Sequence, residues 1–132
     1  MKLYFAYGAN MHSDSMASRC PGAVAVGAFV LKDWRLKFYS HATIEPNPGD
    51  QVSGVMWKLT PECVRSLDSF EGFPYYYTKR TWRQNGRKFF FYEMAAHRSG
   101  LPSISYVDNI AEAYRQWDLD PDHLHVALDE IA

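Results

Sequence analysis

Apolar and polar residues alternate from the first positions, with Leu3, Phe5 and Tyr7 on one face of a strand predicted over Lys2 to Tyr7. Gly8-Ala9-Asn10 breaks that pattern, and a short helix is expected from Ser13 to Arg19, stopped by Pro21-Gly22. Two further β segments follow, GAFVL and RLKFY, divided by Lys32-Asp33 as a turn signal. Pro46, Asn47, Pro48 and Gly49 mark His41 to Asp50 as a loop, and Gln51 to Leu59 as the next strand. Within it Gly54 signals a bulge or a close backbone approach.

Thr60-Pro61-Glu62 is a helix start: threonine caps, proline suits the first helical position, and an acid favours the positive end of the helix dipole. Gly72 ends that helix. Strands over Tyr75 to Gln84 and Arg87 to Met94 are joined by Asn85-Gly86, the pair that a two-residue type I′ hairpin prefers. After a loop through Ser99-Gly100 and Pro102, Ile110, Tyr114 and Trp117 form a helical stripe, and Asp120-Pro121 opens a last helix with Leu124, Leu128 and Ile131. The body is β and the tail is α, without internal repeat, linker or low-complexity tract.

A length of 132 residues suits a single domain spanning 1–132 with a core of its own. Aromatic residues make up 16% of it, in runs that suit a pleated surface. A formal net charge of -1 gives no pull toward nucleic acid or an anionic membrane, so the expected partner is small or neutral. Cys20 and Cys63 do not make a disulfide framework, and no stretch reads as a signal peptide or a membrane span. A cytoplasmic setting is the expectation.

One acid stands out. Val64, Leu67 and Glu71 fall at i, i+3 and i+7, so an inward-facing apolar pair carries Glu71 inward as well. Desolvation and the negative end of the helix dipole would both raise its pKa and make it a general base near neutral pH. The plainer alternative is a solvated last turn before a glycine, with Asp68 beside it. Gly8-Ala9-Asn10 has two readings too: a backbone nest for a carboxylate or oxyanion at a strand-to-helix turn, or a small-residue reversal of the chain.

Taken together, Tyr7-Gly8-Ala9-Asn10 and Leu67-Asp68-Ser69-Phe70-Glu71-Gly72 resemble two motifs of the gamma-glutamylcyclotransferases, the strand-end Tyr-Gly-Ser-Asn loop and the Leu-Asp-x-x-Glu-Gly segment with the catalytic acid. A tyrosine follows a few residues later, as Tyr77 does, and the tail from Leu101 to Leu124 is similar to the family's closing segment. Ala9 replaces the usual serine, and Ala111 and Asp118 stand where the family would have glycines.

The resemblance implies a mixed α/β (α+β) fold, a small, mostly antiparallel β-barrel flanked by short helices. It also implies an acyltransferase or lyase-type enzyme, in which the α-amine of a γ-glutamyl amide attacks its own γ-carbonyl to release 5-oxoproline and an amine or amino acid. Glu71 would be the general acid/base, and Tyr7, Gly8, Ala9, Asn10, Tyr77 and Tyr92 would bind the small-molecule substrate. No cofactor and no metal are expected, and the assembly is a monomer or a homodimer.

Other chemistries carry less. Cys63 and Cys20 lack a histidine at a telling separation, so both read as inert thiols. His123 and His125 are two apart and point to different sides of a helix, which is poor metal geometry. Lys79, Arg80, Arg83, Arg87 and Lys88 with Trp82 match a nucleic-acid-binding hairpin, or charges that guard an exposed strand edge. With the near-neutral charge, nucleic acid is not the expected partner. A non-catalytic module that binds a γ-glutamyl-like ligand or nucleic acid on the same fold is the alternative.

Overall fold

The computed structural model describes residues 1–132. Five strands, β1 (Lys2–Ala6), β2 (Val24–Phe38), β3 (Ala42–Leu59), β4 (Tyr77–Gln84) and β5 (Arg87–Met94), form one sheet in the order β2-β3-β1-β5-β4. Four helices accompany it: α1 (Ser13–Arg19), α2 (Pro61–Glu71), α3 (Ile104–Gln116) and α4 (Asp122–Asp129). Tyr4, Phe5 and Ala6 are all buried, so both faces of β1 are covered, as the middle strand of a wrapped sheet requires. β1 runs antiparallel to β3 and parallel to β5, and the remaining pairs are antiparallel.

The class is mixed α/β, but the ladder is not closed into the expected barrel. β2 and β4 are its two edges. They meet through a side chain: Gln84 Oε1 accepts from the Lys32 N–H at 2.9 Å, and Gln84 Nε2 donates to the Val30 carbonyl at 2.8 Å. Trp82 of β4 packs edge-on against Trp34 of β2, with ring centroids 5.3 Å apart. One amide and one aromatic pair therefore do between the edges what a row of backbone bonds would do in a closed barrel.

Two further expectations are corrected. Lys32-Asp33 does not divide two strands, because β2 is continuous, and the loop expected over His41 to Asp50 is, from Ala42 onward, part of β3. Asp33, at φ 69, sits at a register shift where Lys32 pairs with Gln51 and Trp34 with Pro46, and its Oδ1 accepts from the Gly49 N–H at 3.0 Å. Proline is tolerated because β1 pairs β3 only from Val55 to Leu59, which leaves the earlier part of β3 with an unpaired side. Local breakers were thus absorbed into one bulge of a long two-stranded ribbon.

Elsewhere local chemistry sets the boundaries. Thr60 Oγ1 accepts from the Cys63 N–H at 3.1 Å to cap α2, Pro61 opens it, and Gly72 ends it at φ 64. Asn85 and Gly86, at φ 53 and 77, make the I′ turn between β4 and β5. One cluster of 29 buried residues draws on four strands and all four helices, with Tyr77 and Trp82 of β4 packed against it. No helix is long and apolar enough to cross a membrane.

Candidate active site

Beyond β1 the chain bends at Gly8 and makes a single 3₁₀ turn over Ala9–Met11, closed by the Met11 N–H on the Gly8 carbonyl at 3.0 Å. The N–H groups of Gly8, Ala9 and Asn10 donate to no acceptor in the protein. Gly8 has φ -123, and a Cβ there would lie at ordinary contact distance, 3.4 Å from Tyr106 Oη, which accepts from the Ala42 N–H at 3.0 Å. The start of the loop is pinned from below, where Tyr7 Oη donates to the Tyr92 carbonyl at 2.7 Å.

On the opposite wall, α2 carries the acid. Leu67 is fully buried, Val64 packs partly against the core, and Glu71 follows on the same face, half-buried at the helix end. The two walls touch. Asn10 Nδ2 donates to Glu71 Oε1 at 3.1 Å and to Tyr4 Oη at 3.0 Å, and Arg19 Nη1 donates to Asn10 Oδ1 at 2.6 Å. Burial raises the Glu71 pKa from 4.5 to about 7, with Arg19 and the Asn10 hydrogen bond pulling the other way. A carboxyl poised there exchanges a proton near neutral pH.

Between the walls lies a cavity of about 260 Å³. Glu71, Tyr7, Gly8, Ala9, Asn10, Tyr77 and Tyr92 all line it, so each residue nominated from the sequence reaches the same hollow. Their hydroxyls are differently engaged. Tyr77 Oη donates to the Ala42 carbonyl at 2.7 Å, and Tyr92 Oη donates to Asp68 Oδ1 at 2.6 Å, beside Lys79 Nζ at 2.8 Å from the same carboxylate. Burial pushes both phenols above their usual range, so they stay protonated. Asp68 is therefore the brace that ties α2 to the hairpin through Tyr92 and Lys79.

Sequence reasoning missed Arg19, Tyr4, Tyr106, His41 and Arg98, which also line the cavity. Tyr4 sits between Leu3 and Phe5, on the other face of β1, and a large aromatic on the face opposite the apolar set is a local signal that could have flagged it. The others arrive from distant segments and left no local signal. Arg98 lies over the Tyr76 ring at 4.5 Å.

Cys20 and Cys63 are buried and unpaired, Cys20 Sγ lies 3.3 Å from the Cys63 carbonyl, and burial pushes the Cys20 thiol up to about 12. No three His, Cys, Asp or Glu side chains are grouped to hold a metal ion. On the hairpin, Lys79 pairs with Asp68 and Arg80 with Glu93, while Trp82 is turned onto Trp34 and away from solvent stacking.

The profile of the family described as "Gamma-glutamyl cyclotransferase, AIG2-like" matches residues 4–117, which takes in the loop, the acid and the hairpin. The chain belongs to this family. Gamma-glutamylcyclotransferases of Bos taurus and Homo sapiens are 38% and 37% identical to it over 82 residues, 53% of this chain. The match spans 44% of each of those relatives, so the chain covers under half of their length. A solved structure titled gamma-glutamyl cyclotransferase superposes with a TM-score of 0.82 at 28% identity, over 96% of this chain and 85% of that one. The YkqA structure from Bacillus subtilis, at 18% identity and a TM-score of 0.75 over 98% of this chain and 53% of that one, shares the family fold.

Proposed function

We propose that residues 1–132 act as one cytoplasmic domain that converts a γ-glutamyl amide into 5-oxoproline and a free amine or amino acid. The observation that carries this reading is the meeting of Glu71 with the Gly8–Asn10 loop across one cavity, through the Asn10 hydrogen bond. Its pKa near 7 is supporting.

The substrate's α-amine and γ-carbonyl belong to one molecule, so the protein has to fold it into an attack geometry. Aligned intramolecular reactions reach effective molarities of about 10⁵ M or more, which makes a single base sufficient. Glu71 in its ionised form, about half of it at pH 7, takes a proton from the α-ammonium. The freed amine bonds to the γ-carbon, and the carbonyl oxygen gains charge that the unpaired N–H groups of Gly8, Ala9 and Asn10 are available to receive. The amide C–N bond then breaks as Glu71 gives its proton to the leaving nitrogen, and the freed carboxylate passes the second proton of the attacking nitrogen to the released amine, leaving a neutral lactam and an ammonium. Water is not consumed. Tyr7, Tyr77 and Tyr92 shape the cavity, with their hydroxyl protons already committed to protein acceptors.

The test is a panel of γ-glutamyl amino acids and γ-glutamyl amines assayed for 5-oxoproline, with Glu71→Gln as the comparison. Glu71→Gln is expected to stay folded and lose at least about 100-fold in kcat, the scale of a lost general base. Undiminished turnover in that variant removes Glu71 from the mechanism.

A further inference from the structure

Asparagine has two nearly isosteric ends, and a buried Asn10 could present either one to Glu71. Only the NH₂ end can donate to a carboxylate; the carbonyl end would repel it. What decides between them is the group on the other side. A guanidinium has five donors and no acceptor, so Arg19 Nη1, 2.6 Å from the Asn10 side chain, must face its Oδ1. The NH₂ is then forced toward Glu71 Oε1 and Tyr4 Oη, at 3.1 and 3.0 Å. Tyr4 could accept from the NH₂ or donate to the carbonyl and so does not choose.

We infer that Arg19 is a positioning residue: it fixes which end of the Asn10 amide meets Glu71 and thereby holds the carboxylate in the cavity. Arg19 is itself held from α2. Its guanidinium lies 3.7 Å over the Phe70 ring, and its carbonyl accepts from Ser66 Oγ at 2.7 Å. Ser66 and Phe70 are one helical turn apart on the same face, and Phe70 is the residue next to Glu71. The ring of contacts Phe70, Arg19, Asn10, Glu71 thus closes on two adjacent residues of one helix end. A shift of α1 relative to α2 would move the amide and the carboxylate together.

The ionisable groups that face Glu71 come from every neighbouring element: Tyr4 of β1, Tyr7 beyond it, Arg19 of α1, Tyr77 of β4, Tyr92 of β5 and Tyr106 of α3. All the tyrosines are held in the neutral form by burial, which leaves Arg19 as the cation that acts on the acid. Arg98 and His41 line the cavity as well, with Arg98 stacked on Tyr76.

The inference rests on the reading of Glu71 as the base, and the experiment separates the two. The Glu71 carboxyl carbon, identified as the resonance lost in Glu71→Gln, is titrated by NMR in the wild type, Arg19→Met and Arg19→Lys. The acidic limb of kcat/KM for 5-oxoproline release is recorded for the same proteins. In Arg19→Met the carboxyl should titrate about one pH unit higher, and the limb should move with it, a roughly tenfold loss of kcat/KM on the acid side. Arg19→Lys, which keeps a donor-only cation, should restore most of both. A purely structural role for Arg19 would lower the melting temperature and leave the titration in place, and that result overturns the inference. A limb that moves while the carboxyl titration does not also overturns it. If Glu71→Gln remains active, the catalytic reading fails alone, because the NMR titration still decides what Arg19 does.

Discussion

Glu71→Gln has a second consequence, on stability, and its size follows from the site. The carboxyl titrates near 4.5 when exposed and at about 7 in the folded chain, because burial disfavours the ion. The folded state therefore binds the proton more tightly than the unfolded state. Below about pH 4.5 both forms are protonated and the fold carries no penalty. As pH rises toward 7 the unfolded chain loses its proton first, so stability falls across that window and stays reduced above it. At about 1.36 kcal/mol for each tenfold change in proton affinity the full cost is about 3 kcal/mol, and solvent at the open side of the half-buried carboxyl brings it to about 2–3 kcal/mol. Glutamine has a similar shape, keeps an oxygen for the Asn10 NH₂ and never ionises. Glu71→Gln should thus match the wild type near pH 4.5 and exceed it by about 2–3 kcal/mol at pH 8.5, a roughly 30- to 150-fold gain in the folded-to-unfolded ratio. Urea unfolding of both proteins at several pH values measures the difference. A gap that is constant with pH, or that narrows as pH rises, refutes the reasoning, since it would mean that the fold does not resist ionisation of this acid.

Two substitutions probe the walls of the cavity separately. In Gly54→Ala the new Cβ would collide with the Ala6 carbonyl and lie 2.6 Å from the Phe5 ring, so β1 and β3 must part just below the loop; urea unfolding should show a loss of at least about 1–3 kcal/mol, and a variant as stable as the wild type would discount the close approach. Thr60→Ala removes the cap of α2 and should cost about 1 kcal/mol in the same assay without moving the Glu71 titration, whereas a displaced titration would mean that the acid's environment depends on the far end of its helix.

How much of this was legible in the sequence depended on whether the signal was local. α2 could be read at both ends because Thr60, Pro61 and Gly72 act on the backbone within a turn of themselves, and the apolar spacing of Val64 and Leu67 put Glu71 on the inner face. Asn85-Gly86 needed no distant partner to specify its turn. The β2–β3 ribbon failed the same test in reverse: Asp33, Pro46, Pro48 and Gly49 are turn residues by local preference, and only the pairing of two long strands turns them into one irregularity. Gln84 gave no warning that it joins the sheet edges, since its partners are more than fifty positions away. Arg19 was read as the end of a helix and nothing more. Its role depends on α1 docking on α2, and no periodicity within α1 encodes that.

The bridge made by Gln84 bears on how this molecule can yield. A strand ladder gives way cooperatively, because each bond is held in register by the next, but two bonds to one amide can be released by a single rotamer change at a cost of about 1 kcal/mol each. In strand order that seam is as far from β1 as the sheet allows, and β1 bears the loop that reaches the acid. The Gln84 end of the seam can thus open without a strand ladder breaking, while the other end of β4 stays tied to the cavity wall through Tyr77 and Lys79.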